Sequence, residues 1–254
     1  MTISLEIKNI GKRFGETQVL KDVHAPVIPG RITAFIGPNG AGKTTLFNII
    51  NGHIEPDEGS ILFRGEDVTG KPPHVLALRG MGRQFQDVRV FGGLTAIENV
   101  VVALLPGAGR SPWWTWFGMR GVTSEMKRLR EQAMESLEYV GLAEHCDRLA
   151  RELSFGQQKL LSLAWLFARG FPCLLLDEPT AGVSPQMVDR IVTLIHRAVD
   201  EQGLTVVAFV EHNMSAVKEL AHWIYFLHEG QVAFSGESGQ VLENRTVREL
   251  YMGI

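Results

Sequence analysis

The apolar positions of the chain fall into short runs separated by segments with helical periodicity. Residues 31–36, 173–176 and 205–210 are rich in aliphatic, aromatic and β-branched side chains, as expected of buried strands. Glycine and proline frame these runs, and helical patterns alternate with them. We therefore predict a doubly wound α/β sheet whose strands are mainly parallel.

The first 86 residues contain most of the other predicted strands. Residues 3–36 alternate in hydrophobicity and are predicted to form strands. Turns are predicted at residues 9–11, 14–16 and 29–30. Residues 60–64 form a further short strand, and another strand is predicted to end at Phe85 and Gln86.

Residues 87–157 differ in character and predict a helical insertion. Residues 95–104 and 125–140 have helical patterns, and the second helix is amphipathic. Its apolar stripe comprises Met126, Leu129, Ala133, Leu137 and Val140. The aromatic residues between the helices form either a local hydrophobic cluster or a contact with a partner or membrane surface. They are Trp113, Trp114, Trp116 and Phe117.

Composition and charge narrow the class of protein. The chain has 254 residues, of which 45% are hydrophobic and 21% charged, so a folded globular protein is expected. The formal net charge of -3 gives no electrostatic reason to expect nucleic-acid binding. We find no signal-peptide pattern and no uncharged apolar run of the ~18 residues that a membrane span needs. The two cysteines suggest neither a disulfide framework nor a zinc site, which favours a reducing cytosol.

A complete G-x-x-x-x-G-K-[ST] pattern stands between a predicted strand and a predicted helix. It comprises Gly37, Pro38, Asn39, Gly40, Ala41, Gly42, Lys43, Thr44 and Thr45. The glycines permit a tight turn in which backbone amides converge on one anionic group. Lys43 is placed to reach the β- and γ-phosphates, and the hydroxyl of Thr44 to ligate Mg²⁺. The strand–loop–helix context disfavours the alternative, a glycine-rich turn that binds nothing.

Two carboxylates, Asp177 and Glu178, end the apolar strand at residues 173–176. Ligands of α/β sheets bind beyond the carboxyl ends of the strands. At such a place Asp177 can hold Mg²⁺, usually through water, and Glu178 can act as general base toward an attacking water. The alternative is a strand that ends in an ordinary polar turn, which the phosphate loop upstream disfavours.

The segment Leu153-Ser-Phe-Gly-Gln157 stands at the start of a helix that is predicted to run from Gln158 to about Arg169. Ser154 and Gly156 there resemble a phosphate site, because free N–H groups and the helix dipole favour an anion. In isolation the segment is better interpreted as an ordinary serine N-cap. The position of the segment relative to the other motifs decides between a phosphate site and a simple N-cap.

The order and spacing of these motifs resemble the ATP-binding subunit of an ABC transporter over essentially the whole chain. The motifs are the phosphate loop, Gln86, residues 153–157, the carboxylates after residue 176 and a strand-terminal His212. The resemblance implies an α/β fold: a P-loop NTPase core with a mostly parallel sheet, an N-terminal antiparallel β subdomain and an inserted helical subdomain. One ATPase domain is implied, with its core at residues 1–86 and 158–235, its helical subdomain at 87–157 and its tail at 236–254.

The resemblance also implies roles for single residues. In that family two subunits dimerise head-to-tail, and each phosphate loop faces the signature motif of the other subunit across an ATP molecule. Ser154, Gly156 and Gln157 then bind the nucleotide of the opposite subunit. Gln86 is expected to contact Mg²⁺ and the attacking water and to couple to the membrane partner. His212 is expected to touch the γ-phosphate.

Simpler alternatives exist for the residues that rest on the resemblance alone. Phe14 matches the aromatic residue that stacks on adenine, and it can also pack under the edge of a strand. His212 can be a turn residue and Gln86 a surface residue at a strand end. The family spacing favours the functional interpretation of all three.

Two positions depart from the family pattern. Phe155 stands where the signature motif commonly has glycine, and Ser184 stands where a later loop often has aspartate. Phe155 does not have to block ATP, because Ser154 and Gly156 are kept. Because Ser184 lacks a carboxylate, a specific proton or water contact from its loop is in doubt. Dimerisation is not in doubt on this ground.

Several segments are similar to the ATPases of branched-chain amino-acid importers, and ATPases for urea import and lipopolysaccharide export share several of them. These segments are residues 82–86, 88–91, 94–99, 210–214 and 247–253, together with the tryptophan-rich insertion. We expect an ATP hydrolase that energises uptake of a small solute, most simply a branched-chain or hydrophobic amino acid. A non-transport ABC ATPase acting on DNA or the ribosome is disfavoured by the absence of a basic tail, a zinc site or a long coiled-coil arm.

The same resemblance implies the cofactors ATP and Mg²⁺ and a peripheral position on the cytoplasmic face of the cell membrane. It implies a second copy of the chain or a homologous ATPase subunit as dimer partner. Transmembrane permease subunits are expected near Gln86 and residues 87–105, and a solute-binding protein is expected to act indirectly. No nucleic-acid partner is expected.

Overall fold

A computed structural model of the chain describes residues 5–84, 90–105, 119–201, 206–211 and 213–252. The described residues divide into two compact units. The first takes in the described parts of Met1–Gln86, Phe171–Ala181 and Pro185–Ile254, and the second those of Asp87–Gly170 and Gly182–Ser184.

The strands all belong to the first unit, as far as the described residues show. They are β1 (Leu5–Phe14), β2 (Thr17–Val27), β3 (Ile32–Ile36), β4 (Glu58–Phe63), β5 (Glu66–Asp67), β6 (Met81–Gln84), β7 (Cys173–Asp177), β8 (Val206–Val210), β9 (Trp223–His228) and β10 (Gln231–Glu237). The helices are α1 (Lys43–Ile50), α2 (Pro73–Leu78), α3 (Ala96–Leu104), α4 (Met119–Val140), α5 (Phe155–Arg169), α6 (Pro185–Glu201), α7 (Met214–Leu220), α8 (Ser238–Glu243) and α9 (Arg245–Met252). Short 3₁₀ helices lie at Ala143–His145 and Ala150–Glu152.

Two sheets organise the first unit. Within the described residues, one has the strand order β10-β9-β3-β8-β7-β6, in which all pairs are parallel except β10 with β9. The other has the order β2-β1-β4-β5 and is antiparallel. Every residue of β3 and of β7 is buried, as expected of central parallel strands covered on both faces. The mostly parallel sheet and the N-terminal antiparallel sheet were both predicted.

The turn predicted at residues 9–11 is wrong, because β1 continues through it. Asn9 has φ 49°, and the pairing of β1 with β2 and with β4 shifts register near this point. A β-bulge absorbs an extra residue and increases local twist without reversing the chain. Close packing fixes its geometry: a Cβ on Gly59 of β4 would lie 2.2 Å from the carbonyl oxygen of Lys8. The predicted turns at residues 14–16 and 29–30 are present.

Helices α3, α4 and α5 form the second unit. Thr95 caps α3 through a capping box, in which its hydroxyl accepts from the N–H of Glu98 and the Glu98 carboxylate accepts from the N–H of Thr95. The hydroxyl of Ser136 in α4 donates to the Ala164 carbonyl of α5 at 2.7 Å. The predicted helical subdomain ended at residue 157, whereas α5 is continuous to Arg169 and the unit includes it.

The apolar stripe predicted for α4 is confirmed except at one end. Leu129, Ala133, Leu137 and Val140 are buried, whereas the Met126 side chain is 43% exposed. The helix begins at Met119 rather than at the predicted Glu125. None of the helices in the described part of the chain is both long and apolar enough to cross a membrane.

The core of the second unit offers a test of the assigned packing. Leu137→Ala removes a fully buried side chain and is expected to lower the free energy of unfolding by about 2–5 kcal/mol, because it leaves a cavity. Met126→Ala, the exposed residue of the same stripe, is the matched control and should change it by less than about 0.5 kcal/mol. Chemical denaturation measures both, and equal effects would contradict the packing of α4.

Candidate active site

The register of the parallel strands gathers the candidate residues at one edge of the sheet. Phe35 pairs with Val210, and Val210 pairs with Asp177. The phosphate loop follows β3, Asp177 and Glu178 end β7, and Glu211 follows β8, so all three segments emerge side by side. β6 pairs with β7 as far as Gln84 and Leu176, so the end of β6 lies at the same edge.

The phosphate loop is fitted closely to the strands around it. A Cβ on Gly37 would lie 2.1 Å from the carbonyl oxygen of Leu227 in β9, and a Cβ on Gly42 would lie 2.6 Å from the Leu20 side chain in β2. Both glycines have positive φ, 153° and 95°, in the region that other residues rarely adopt. The glycine pattern therefore reflects steric need as well as local flexibility.

Lys43 begins α1 and folds back into the loop. Its Nζ donates to the carbonyl oxygens of Gly37 at 2.7 Å and of Pro38 at 2.9 Å, and the residue is buried. Burial lowers the pKa of the Lys43 ammonium, and the negative charge of Glu178 raises it in part again. Thr44 and Asn39 are exposed at the mouth of the loop. The arrangement puts a cation, the backbone amides at the start of α1 and a hydroxyl where an anion can bind.

Asp177 forms a buried ion pair that the sequence analysis did not identify. Arg83 of β6 donates to its Oδ2 at 2.9 Å and to Oδ1 of Asn48 in α1 at 2.9 Å. The side chains of Arg83 and Asp177 are only 9% and 8% exposed. Sequence spacing alone gave no signal, because the three residues come from separate elements.

The residues present fit a magnesium ion. Mg²⁺ usually keeps several waters and takes one or two protein ligands together with phosphate oxygens. The Thr44 hydroxyl and the Asp177 carboxylate are oxygen ligands that could serve as these one or two protein ligands. No group of three histidine, cysteine, aspartate or glutamate side chains suited to a metal exists among the described residues, so phosphate and water oxygens would complete the shell.

Glu178 has an unusual backbone conformation that its neighbours hold. Its φ is 48°, and its N–H donates to the carbonyl oxygen of Val210 at 2.9 Å. Two residues later, the N–H and the hydroxyl of Thr180 both donate to Oε1 of Glu211. Glu211 is 1% exposed, and the sequence analysis did not single it out.

Phe14 lies at the end of β1 with 49% of its surface exposed. The ammonium of Lys12 lies 5.5 Å from the centre of its ring. The ring is therefore not packed away under the strand edge, and it is accessible to a planar ligand. Stacking on adenine stays a prediction.

Ser154 and Gln157 form a capping box at the start of α5. The Ser154 hydroxyl accepts from the N–H of Gln157 at 3.3 Å, and the Gln157 side chain accepts from the N–H of Ser154 at 2.9 Å. The helix begins at Phe155, earlier than the predicted Gln158. The N-cap interpretation is therefore confirmed, and the role of Ser154, Gly156 and Gln157 in nucleotide binding stays a prediction.

Phe155, which replaces the usual glycine, packs against the loop at residues 182–184. A Cβ on Gly182, where φ is 74°, would lie 3.0 Å from the Phe155 ring, and the Lys159 ammonium lies 5.6 Å from the ring centre. Phe155 keeps 47% of its surface exposed, and Ser184 is exposed. Phe155 thus lies against the loop that contains Ser184 and stays half-exposed.

An apolar groove of about 530 Å³ runs along α3 and α4 in the second unit. Its floor and walls are formed by Leu94, Ile97, Val101, Val102, Leu105 and Met126. Three charged residues, Glu98, Lys127 and Arg130, also line it. Gln86, His212 and the aromatic residues at positions 113–117 lie outside the described residues, and their predicted roles stay predictions.

Comparisons with known proteins agree with this geometry. A family model described as ABC transporter matches residues 20–181. The branched-chain amino acid transport ATP-binding protein BraF of Pseudomonas aeruginosa is 34% identical over 98% of this chain and 97% of its own length. LivG of Escherichia coli, of the same description, is 33% identical over 98% of this chain and 97% of its own length.

Solved structures of ATP-binding cassettes from ABC transporters are similar over the full length of both chains. One without nucleotide has a TM-score of 0.83 and 32% identity, and one in its ADP conformation has 0.85 and 31%. They confirm the predicted fold class. The chain therefore belongs to the ABC transporter family, as one of its nucleotide-binding, ATP-hydrolysing cassettes.

Proposed function

We propose that this cassette energises the import of a branched-chain amino acid. The observation that carries the proposal is the near full-length similarity to BraF and LivG, relatives whose names state this transport. The tryptophan-rich insertion and the tail, which the sequence analysis compared with the same importers, support it. The chain then acts on the cytoplasmic face of the membrane, attached through permease subunits.

ATP and Mg²⁺ bind at the edge of the central sheet in this proposal. The backbone amides between Asn39 and Thr44, except that of Ala41, which donates to the Pro38 carbonyl, hold the phosphates together with the ammonium of Lys43. Phe14 stacks on the adenine. Thr44 and Asp177 hold Mg²⁺, with Gln86 near the ion and the attacking water. The close packing of Gly37 against β9 and of Gly42 against β2 supports this assignment, since it fixes the loop backbone in advance of binding.

Glu178 accepts the proton of the attacking water, and His212 contacts the γ-phosphate. The position of Glu178 at the end of β7, within electrostatic range of Lys43, supports the first assignment. The emergence of β8 beside β7 supports the second, because His212 follows that strand by two residues.

Two copies of the chain, or this chain and a homologous subunit, form a head-to-tail dimer that closes on ATP. Ser154, Gly156 and Gln157 at the start of α5 contact the γ-phosphate of the nucleotide held by the other subunit. A dimeric cassette bound to ADP and phosphate is a structural relative, with a TM-score of 0.73 and 25% identity. Hydrolysis removes these contacts and reopens the dimer.

A permease helix sits near Gln86 and residues 87–105, and it transmits the closure to the membrane. The apolar groove along α3 and α4 supports this position, because exposed apolar side chains beside charged ones suit an amphipathic helix. A solute-binding protein delivers the amino acid on the opposite side of the membrane. Import of urea or export of lipopolysaccharide are the competing functions of the same class.

The cargo is tested by uptake. The chain is expressed with the permease that co-purifies with it, a solute-binding protein and any co-purifying ATPase subunit, in cells without their own branched-chain amino-acid importers. These cells should regain accumulation of radiolabelled leucine. Glu178→Gln should abolish it, because transport needs hydrolysis. Uptake of labelled urea in place of leucine would overturn the assignment of the cargo.

The attachment is tested by cell fractionation. A chain that reaches the membrane fraction without the permease would contradict attachment through permease subunits.

Glu178→Gln separates nucleotide binding from chemistry. The amide keeps the shape of the side chain but cannot accept the proton, so hydrolysis should fall by ~10²–10⁴-fold at unchanged ATP affinity. Uncleaved ATP should then hold a dimer that size-exclusion chromatography detects. Full activity, or a monomer in the presence of ATP, would show that Glu178 is structural.

Mixed dimers test whether Ser154 acts across the interface. Ser154→Arg alone should spare ATP binding by the single chain and abolish dimerisation and turnover. The long arginine side chain would occupy the space that the nucleotide of the partner needs. A Ser154→Arg chain mixed with a Lys43→Ala chain places both lesions at one composite site and leaves the other intact. Some hydrolysis should return in the mixture. If Ser154→Arg instead destroys ATP binding by the isolated chain, the serine is a helix cap only.

A further inference from the structure

The last helix of the chain reaches the segment that precedes His212. Val247 anchors α9 with 1% exposure, and the Tyr251 ring packs edge-on against Phe226 of β9 at 6.3 Å between ring centres. The Tyr251 hydroxyl donates to the backbone carbonyl of Glu211 at 3.2 Å. The C-terminal helix therefore supports the chain between β8 and His212.

The Tyr251 hydroxyl stays a donor at any physiological pH. Burial raises its pKa to about 12, and the negative charges of Glu211 and Glu178 act in the same direction. The tyrosine thus lies within electrostatic range of both carboxylates. The hydroxyl therefore keeps the proton that it donates to the Glu211 carbonyl.

The Glu211 side chain connects the same segment to the chain after Glu178. Its Oε1 accepts from the N–H of Thr180 at 2.8 Å and from the Thr180 hydroxyl, and its Oε2 accepts from the N–H of Asn213 at 3.2 Å. A buried carboxylate is stable only when donors of this kind satisfy it. The side chain spans the two segments, which are joined a second time by the bond from Glu178 N–H to Val210.

These contacts also hold the backbone conformation of Glu178. Its φ of 48° is uncommon for a residue with a side chain, and such a conformation persists only where the surroundings hold it. Glu178 is held on one side by Val210 and on the other by the chain through Thr180, which Glu211 fixes. These hydrogen bonds join Glu178 and Glu211 to Val210, Thr180 and Asn213, which lie outside the phosphate loop, so we expect changes in them to alter the chemistry more than nucleotide affinity.

We propose that Glu211 and Tyr251 are positioning residues for ATP hydrolysis, through which the C-terminal helix α9 holds Glu178 in its catalytic orientation. The proposal rests on the assignment of Glu178 as general base. It gives the C-terminal helix of the first unit a part in the chemistry, in addition to its packing against β9.

Two nearly isosteric variants test it in the purified full-length chain. Glu211→Gln removes the charge and turns one acceptor into a donor toward Asn213, and it should lower kcat roughly 10- to 100-fold. Tyr251→Phe removes only the hydroxyl and keeps the ring, and it should lower kcat about threefold or more. The KM for ATP and the affinity for a non-hydrolysable analogue should stay within about twofold in both, because the phosphate loop is untouched.

Tyr225→Phe is the matched control. Its hydroxyl also donates to a backbone carbonyl in the first unit, that of Pro26 at 2.7 Å, away from Glu178. It should cost stability and leave kcat unchanged. If Tyr251→Phe and Glu211→Gln lower kcat no more than Tyr225→Phe does, the proposal is overturned, whatever their melting temperatures.

A double variant shows whether the network acts through Glu178. Adding Glu211→Gln to Glu178→Gln should lower the residual hydrolysis no further, because the group being positioned is already disabled. A further independent loss would overturn the assignment. A fully active Glu178→Gln chain would instead refute the general base, and with it the proposed chemistry. Normal kcat in Glu211→Gln and Tyr251→Phe beside an inactive Glu178→Gln would refute this inference alone.

Discussion

The backbone hydrogen bonds among β3, β8 and β7 determine where chemistry can occur in this cassette. They set Phe35, Val210 and Asp177 side by side, so the loop after β3 and the carboxylates that end β7 emerge at one edge. A slip of one residue would turn Asp177 to the opposite face of the sheet, because side chains alternate with period two. The burial of every residue in β3 and β7 opposes such a slip.

Around this edge, buried polar side chains connect elements that are far apart in the chain. Arg83 joins β6, α1 and β7, and Glu211 joins the ends of β7 and β8. In a medium of low dielectric, removing one partner leaves the other buried without compensation, so such connections are strong and specific. These buried contacts hold the elements of the site in place, while Thr44 and Asn39 stay exposed and accessible to a ligand.

The errors of the sequence analysis have a common physical source. A turn was expected at residues 9–11 because asparagine and glycine favour reversals, yet a bulge accommodates the same residues within a continuous strand. Met126 fits the helical period and is expected in the core, yet it is exposed, whereas Leu129, one turn later, is buried. Local pattern shows which conformations are allowed, and neighbouring elements decide which of them is used.

Local spacing is enough to identify the phosphate loop, the carboxylates at the end of β7 and the helical insertion, because each depends on residues close together in the chain. The partners of these groups depend on the packing of distant elements. Arg83 lies 94 residues from Asp177, Thr180 lies 31 from Glu211, and Tyr251 lies 40 from Glu211. No local pattern encodes such pairs, since the packing of distant elements brings them together. Short-range spacing in the sequence therefore specifies which groups are catalytic candidates, and long-range contacts specify how these groups are held.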